Sequence, residues 1–261
     1  MRLRVVGCSG SLPGPASAAS CYLLEAEHEG RTWRLLLDLG SGALGPLHRY
    51  VEPTTVDAVV LSHLHADHCL DLTGLYVALR YHPDGPRSER MPVHGPSGTA
   101  ARLARAYDLD PDPGMSAELD VHEYTTRQPV TVGPFTVVPH PAVHPVEAYV
   151  LRVEGPSEAD PSRRVTLTYT GDTDSCDGLL AAAAGADLLL SEAAFQEGRD
   201  TARGIHLTGR RAAEVATAAG VGRLVLTHLP PWNDPEVVLA QAREAWDGPL
   251  ALAEPGLLIA L

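Results

Sequence analysis

The stretch LSHLHADHCLDL, residues 61–72, sets His63, His65, Asp67 and His68 within six positions. With 12 histidines in 261 residues, random placement yields H-x-H-x-D-H in about one such chain in six hundred, so the cluster reads as a metal cradle rather than a polar turn. The run before it, VDAVVL (56–61), is short, Val-rich and apolar, the pattern of a strand buried on both faces. The cluster therefore stands at a strand's C-terminal end. Alternation along a strand lets His63 and His65 point the same way, while Asp67 and His68 fall where the chain turns into a helical pattern at 70–79. One short segment can thus serve two adjacent ions. Cys69 offers a soft ligand there, against the alternative of a small buried residue at the start of the helix.

Outward from this segment, short apolar strands recur as LRVVG (3–7), CYLLEAE (21–27), WRLLLDLG (33–40), VDAVVLSH (56–63), FTVVPH (135–140), AYVLRVEG (148–155), VTLTYTGD (165–172), ADLLLSEA (186–193), RLVLTH (223–228) and LLIAL (257–261). Helical patterns lie between them at 42–50, 71–80, 98–107, 176–184, 208–219 and 235–245, with Thr208 as an N-cap and Gly220 as a stop for the most regular one. The expected architecture is α/β, with two mixed sheets packed together and helices outside. The Pro/Gly-rich stretches 81–92 and 154–164 read as surface loops, not domain linkers, because metal-type residues on both sides must converge.

A length of 261 residues with 44% hydrophobic content is enough for one large domain spanning 1–261. Lys and Arg number 20 against 33 Asp and Glu, a net charge of −13, so the surface repels polyanions and offers no basic stripe for nucleic acid. The four cysteines form no C-x-x-C pair, the first residues lack the apolar core of a signal peptide, and no run is long enough to span a bilayer. A reduced, cytoplasmic protein is expected.

His and Asp recur after other strand-like runs: Asp38 after WRLLL, His144 in HPAVHPVEAY, Asp172 in TYTGDT and His228 in RLVLTH. Groups at strand ends converge, because parallel and mixed sheets present their C-terminal edges to a shared crevice. Asp38, the 63–68 cluster, His144, Asp172 and His228, in that order, resemble the signature of the metallo-β-lactamase superfamily. Within it, GCSGSLPGPASAASCYLL, GDT, SEAAF and HLT resemble ribonuclease Z and a related branch of small cyclic-nucleotide phosphodiesterases.

The resemblance implies an αββα sandwich with a dinuclear centre between the sheets. His63, His65 and His144 would hold one ion and Asp67, His68 and His228 the other. Asp172 would bridge them, and Asp38 would orient the ligand loop by hydrogen bonds. Imidazole-rich sites with a few carboxylates suit Zn²⁺, with Mn²⁺ or Fe²⁺ as alternatives. By the same resemblance His206 of GIHLTGRR would be the general acid and Glu192 of SEAAF the carboxylate that orients it, with Asp67 counted among the catalytic groups. The chain departs from the ribonuclease pattern at Leu207, where Ser is usual, and at Ser191, where the ribonuclease has His. The loop 7–20 is either a phosphate cradle of backbone N–H groups or a plain turn.

Ribonuclease Z enzymes carry a protruding arm between the third and fourth metal motifs. Here only 27 residues (145–171) separate His144 from Asp172, too few for two strands and an arm. With the acidic surface, this favours a small phosphodiester, 3′,5′-cyclic AMP or a similar cyclic nucleotide, over RNA. An RNA 3′-end endonuclease, another metallo-β-lactamase-fold hydrolase, and a metal-stabilised nucleotide sensor are the alternatives. Homodimerisation is expected from the resemblance alone.

Overall fold

The computed structural model describes residues 1–85 and 89–261. The chain runs β1 (Arg2–Gly7), β2 (Cys21–His28), β3 (Arg31–Leu37), α1 (Leu44–Leu47), a 3-10 turn at Pro53–Thr55, β4 (Ala58–Val60), α2 (Ala66–Cys69), α3 (Leu72–Tyr81), β5 (Met91–Gly95), α4 (Thr99–Ala106) and β6 (Leu119–Glu123). It continues with β7 (Val130–Val132), β8 (Phe135–Pro141), β9 (Tyr149–Pro156), β10 (Arg164–Tyr169), α5 (Asp177–Ala183), β11 (Leu188–Glu192), α6 (Gly209–Ala219), β12 (Leu224–Thr227), α7 (Pro235–Arg243), β13 (Leu250–Leu252) and β14 (Leu258–Ala260).

Among the described residues each sheet has seven strands, ordered β14-β1-β2-β3-β4-β5-β6 in the first and β13-β12-β11-β10-β9-β8-β7 in the second. In both, one part is antiparallel (β14 to β3; β7 to β10) and the rest parallel (β3 to β6; β10 to β13). Side chains alternate across each strand, and this fixes the layers. Leu35, Leu37 and Val60 of the first sheet and Leu167, Leu188, Leu190 and Val225 of the second meet in one buried core between the sheets. Leu36, Val59 and Leu61 face the other way, onto Leu72, Leu75 and Leu79 of α3 and Leu103 of α4. On the far side, Leu189, Leu224 and Leu226 pack on Leu179 of α5, Ala212, Ala213 and Ala216 of α6, and Val238 of α7. The result is the expected αββα sandwich. Each fully buried leucine contributes about 1.5–3 kcal/mol by leaving water, and VDAVVL is buried on both faces because β4 sits between neighbours in a sheet covered on both sides.

All ten expected strands form, but β5, β6, β7 and β13 were not anticipated. MPVHG and LDVHE contain Pro, Gly, His and acidic residues that weaken a strand pattern, and β7 and β13 are three residues long at sheet edges. Their pairing follows from neighbours rather than intrinsic preference. The helix expected at 42–50 shortens to α1. Thr208 caps α6 by accepting the Arg211 N–H at 3.2 Å, and Gly220 ends it at φ 63°, a left-handed stop. Of the loop expected at 81–92, residues 86–88 lie outside the described residues. The loop expected at 154–164 narrows to 157–163, since β9 and β10 take its ends. Among the described residues no helix is long and apolar enough to cross a membrane.

The parallel portions aim their C-terminal ends at one edge of the sandwich. Asp38 follows β3, His63 follows β4, Asp172 follows β10, Glu192 closes β11 and His228 follows β12.

Candidate metal centre

Two groups of side chains meet at that edge. In one, a nitrogen from each of His63, His65 and His144 and an oxygen of Asp172 all lie within 4.8 Å of one another; in the other, so do atoms of Asp67, His68, Asp172 and His228. His65 Nδ1 is 3.0 Å from His63 Nε2 and 3.2 Å from His144 Nε2. His228 Nε2 is 3.2 Å from His68 Nε2 and 3.1 Å from Asp67 Oδ2. Asp172 divides its oxygens: Oδ2 faces His63 Nε2 at 3.6 Å, and Oδ1 faces His68 Nε2 and His228 Nε2, each at 3.3 Å.

Local chain geometry builds this convergence. His63 and His65 lie past the end of β4, so they do not meet by strand alternation as expected. His63 instead sits in an isolated bridge with Ala148, and His65 is the extended N-cap residue of α2. Asp67 and His68 then project from that one-turn helix, as expected, with Cys69 buried and its Sγ on the Leu64 carbonyl at 3.5 Å rather than among the imidazoles. Asp38 and His228 both hold φ 57°, left-handed backbone that neither a strand nor a helix uses, and such strain persists where the surroundings fix it. Gly171 (φ 53°) sets Asp172 in place; a Cβ there would lie 2.5 Å from that of Ser62.

The donor set fits divalent metal. His63 Nδ1 donates to Ser62 Oγ (3.1 Å), His68 Nδ1 to Asp38 Oδ2 (2.7 Å) and His144 Nδ1 to the Ile205 carbonyl (2.9 Å), which leaves each Nε2 lone pair facing the cluster. Burial lowers His63, His65 and His144 below the ordinary histidine range, and neighbouring imidazoles add to this at His63 and His65. Burial opposes the ionised form of Asp172, yet His228, His68 and His63 hold its carboxyl well below the usual range; His228 and His68 do the same for Asp67. The lone pairs of His63, His65 and His144 aimed at one another repel, while burial of His68 is outweighed by Asp172 and Asp38, which push it well above the ordinary histidine range, and Asp172 Oδ1 is buried with only imidazole nitrogens at 3.3 Å beside it. A cation resolves both. Tetrahedral bonds of ~2.0–2.1 Å put ligand atoms about 3.3 Å apart, the spacing found here.

Asp38, fully buried, is the hub behind the cluster. Oδ1 accepts the Ser62 N–H, and Oδ2 accepts Ser62 Oγ, Tyr169 OH and His68 Nδ1, all at 2.7 Å. Ser62 and Tyr169 were missed in the sequence, where neither residue type signals such a role. Asp38→Asn should weaken metal binding about 10- to 100-fold, the usual cost of disturbing a group that orients a ligand. Competition against a chromophoric chelator measures this, and an unchanged affinity would reduce Asp38 to a folding role.

Beside the cluster, His206 Nδ1 donates to Glu192 Oε1 at 2.9 Å. Burial alone would lower His206, but the Glu192 carboxylate, with Asp172 behind it, raises its pKa to about 9. Glu192, His206 and His228 are also close enough to suggest an ion. Glu192 is largely taken up already: it accepts Thr173 N–H (2.8 Å) and His206 on Oε1, and Ala194 N–H (3.1 Å) on Oε2. The pair suits proton donation from Nε2 better than ligation. Phe195 meets the His206 ring edge-on at 5.0 Å, and Leu207, the departure from Ser, is buried among α5, α6 and their strands. Ser191 Oγ donates to the Glu192 carbonyl.

A family model described as beta-lactamase superfamily domain matches residues 33–229. The probable metallo-hydrolase YhfI of Bacillus subtilis is 30% identical over 259 residues, covering 99% of each chain, and an uncharacterized protein of Mycobacterium tuberculosis is 45% identical over 253 residues, 96% of this chain and 88% of its own. Ribonuclease Z of Myxococcus xanthus is 31% identical over 311 residues, 100% and 98% of the two. The crystal structure of YhfI superposes with a TM-score of 0.84 at 28% identity over 99% of this chain and 98% of that one. A diphosphatase of the PhnP family shares the fold at 0.74, with 18% identity over 100% and 97%.

Proposed function

Because the chain belongs to the β-lactamase superfamily, as a metal-dependent hydrolase of the metallo-β-lactamase fold related to ribonuclease Z, we propose that it is a dinuclear phosphodiesterase that opens 3′,5′-cyclic AMP or a similar cyclic nucleotide to the 5′-monophosphate. Residues 1–261 act as one catalytic domain, since both sheets supply site groups. His63, His65, His144 and Asp172 would hold one ion, and Asp67, His68, His228 and Asp172 the other, with zinc the best match to the donors. When bound, such a pair supplies Lewis acidity and a water acidified to near neutrality.

The observation that carries the reading is the His206–Glu192 pair beside Asp172. Hydrolysis adds the oxygen of water to phosphorus and breaks the bond to the ribose 3′ oxygen. That alkoxide is a poor leaving group without a proton, and His206 Nε2 can give one while Glu192 steadies the ring and its charge. Asp38 keeps His68 in register throughout.

Two features favour a small substrate over RNA. Between β9 and β10 the chain turns in seven residues, 157–163, so no arm protrudes there. Close in sequence to the cluster residues, four large apolar side chains are exposed: Leu12, Val143 and Val146 are 41–43% exposed and Trp232 60%. Val143 adjoins His144, and Trp232 lies four residues past His228. Exposed apolar groups of this kind suit a nucleobase better than a phosphate backbone. Purified, metal-loaded protein tested against 3′,5′-cyclic AMP, bis(p-nitrophenyl) phosphate and a tRNA precursor should turn over the first two. Cleavage of the precursor at its 3′ end with cyclic AMP intact would overturn the substrate assignment in favour of the ribonuclease.

A further inference from the structure

In the turn between β1 and β2, the backbone donors on either side of Ser11 are taken up by protein oxygens. Cys8 N–H is on Ser17 Oγ (2.9 Å), Ser9 N–H on the Ala18 carbonyl (3.0 Å), Gly10 N–H on the Leu229 carbonyl (3.1 Å) and Leu12 N–H on the Gly10 carbonyl (2.7 Å). Ser11 N–H differs from these neighbours. It points at His228 Nε2, 3.3 Å away, the nitrogen that faces Asp67, His68 and Asp172.

This aim is built in. Leu12 N–H closing onto the Gly10 carbonyl makes a three-residue turn with Ser11 at its centre and φ 62°, the strained hand of that turn and unusual for a residue with a Cβ. Ser9 Oγ donates to the Leu12 carbonyl at 2.7 Å and braces the turn. Gly10 touches the His228 backbone so closely that a Cβ would fall 2.2 Å from its carbonyl oxygen. The amide is thus fixed against His228 by contacts that a loop without a task would not need.

A lone pair on Nε2 cannot serve both the Ser11 N–H and an ion. Once His228 ligates, the amide is a preorganised donor without an acceptor, at the edge of an anion-attracting site. We propose that Ser11 N–H binds a non-bridging phosphoryl oxygen of the substrate and stabilises the charge that grows there as phosphorus becomes five-coordinate. The inference rests on the phosphodiesterase reading and adds a backbone donor to it. Donors of this kind act most strongly where water is excluded and no reorganisation is needed.

Replacing the Gly10–Ser11 amide by an ester removes this single N–H. Synthetic residues 1–20 joined to recombinant 21–261 at the natural Cys21 would supply the analogue, refolded and reloaded with zinc. At full metal content the ester should bind inorganic phosphate about 10- to 100-fold more weakly than the wild type, and hydrolyse bis(p-nitrophenyl) phosphate about 10²–10³-fold more slowly, as for loss of one such donor. In the unaltered zinc protein the ¹⁵N-labelled Ser11 amide proton should move downfield on adding phosphate. An ester that binds phosphate as tightly as wild type, or a Ser11 resonance that stays put while phosphate saturates the site, overturns the inference and leaves the phosphodiesterase reading intact. Fully loaded wild type that neither binds phosphate nor cleaves any phosphodiester overturns the reading itself.

Discussion

His206→Ala should slow the opening of 3′,5′-cyclic AMP by about 10²–10⁴-fold, the range of general acid catalysis, while largely sparing bis(p-nitrophenyl) phosphate. The two substrates differ in what leaves. A ribose alkoxide is strongly basic and must be protonated as the bond breaks; a nitrophenolate departs unaided. Since Nδ1 is committed to Glu192 at 2.9 Å, Nε2 is the nitrogen with a proton to give. Glu192→Gln should show the same selectivity more mildly, because it weakens the orientation and charge of the acid without deleting it. The pH profile checks the role separately. An acid must be protonated to act, and the pKa raised to about 9 means that cyclic AMP turnover falls only as pH rises through that region. The nitrophenyl substrate should lack this limb. Equal slowing of both substrates in His206→Ala, with metal content unchanged, would make His206 a substrate-positioning group.

Asp172→Ala should remove both ions and with them all measurable hydrolysis, a larger loss than the ~10- to 100-fold expected of a residue that only orients a ligand. The reason is the division of its carboxylate, Oδ2 toward His63 and Oδ1 toward His68 and His228. Deleting it strips an anionic donor from both groups at once and leaves five imidazoles crowded without a bridging charge. Asp67→Ala touches only the group of His68 and His228 and should chiefly weaken one ion. Elemental analysis of the two variants compares them directly. Equal metal loss in both would break the proposed allocation of ligands.

What could be read in the sequence followed from chemical necessity. Only a few residue types bind metal, so His63, His65, Asp67 and His68 in six positions announce themselves, and Asp38, His144, Asp172 and His228 stand where strands end. The structure gathers all of these, together with His206 and Glu192, at one edge of the sandwich. The supports were silent for an equally physical reason. Tyr169 reaches Asp38 across 131 positions, and Ser62 holds both Asp38 and His63 with an ordinary hydroxyl. His144 is steered by the Ile205 carbonyl, and Ser11 acts through its amide; backbone groups have no residue code. Left-handed backbone at Ser11, Asp38 and His228 leaves no trace either, since none is glycine. The strands missed at β5, β6, β7 and β13 are short and weakly patterned, and their neighbours supply the pairing.

The proposed phosphodiesterase needs two ions sharing Asp172. Elemental analysis of wild-type protein, stripped with chelator, reloaded with zinc and freed of excess metal, tests it most directly. About two ions per chain are expected, restored together with hydrolysis of cyclic AMP. At most one ion per chain after reloading would contradict it, because one of the two ligand groups would then hold nothing.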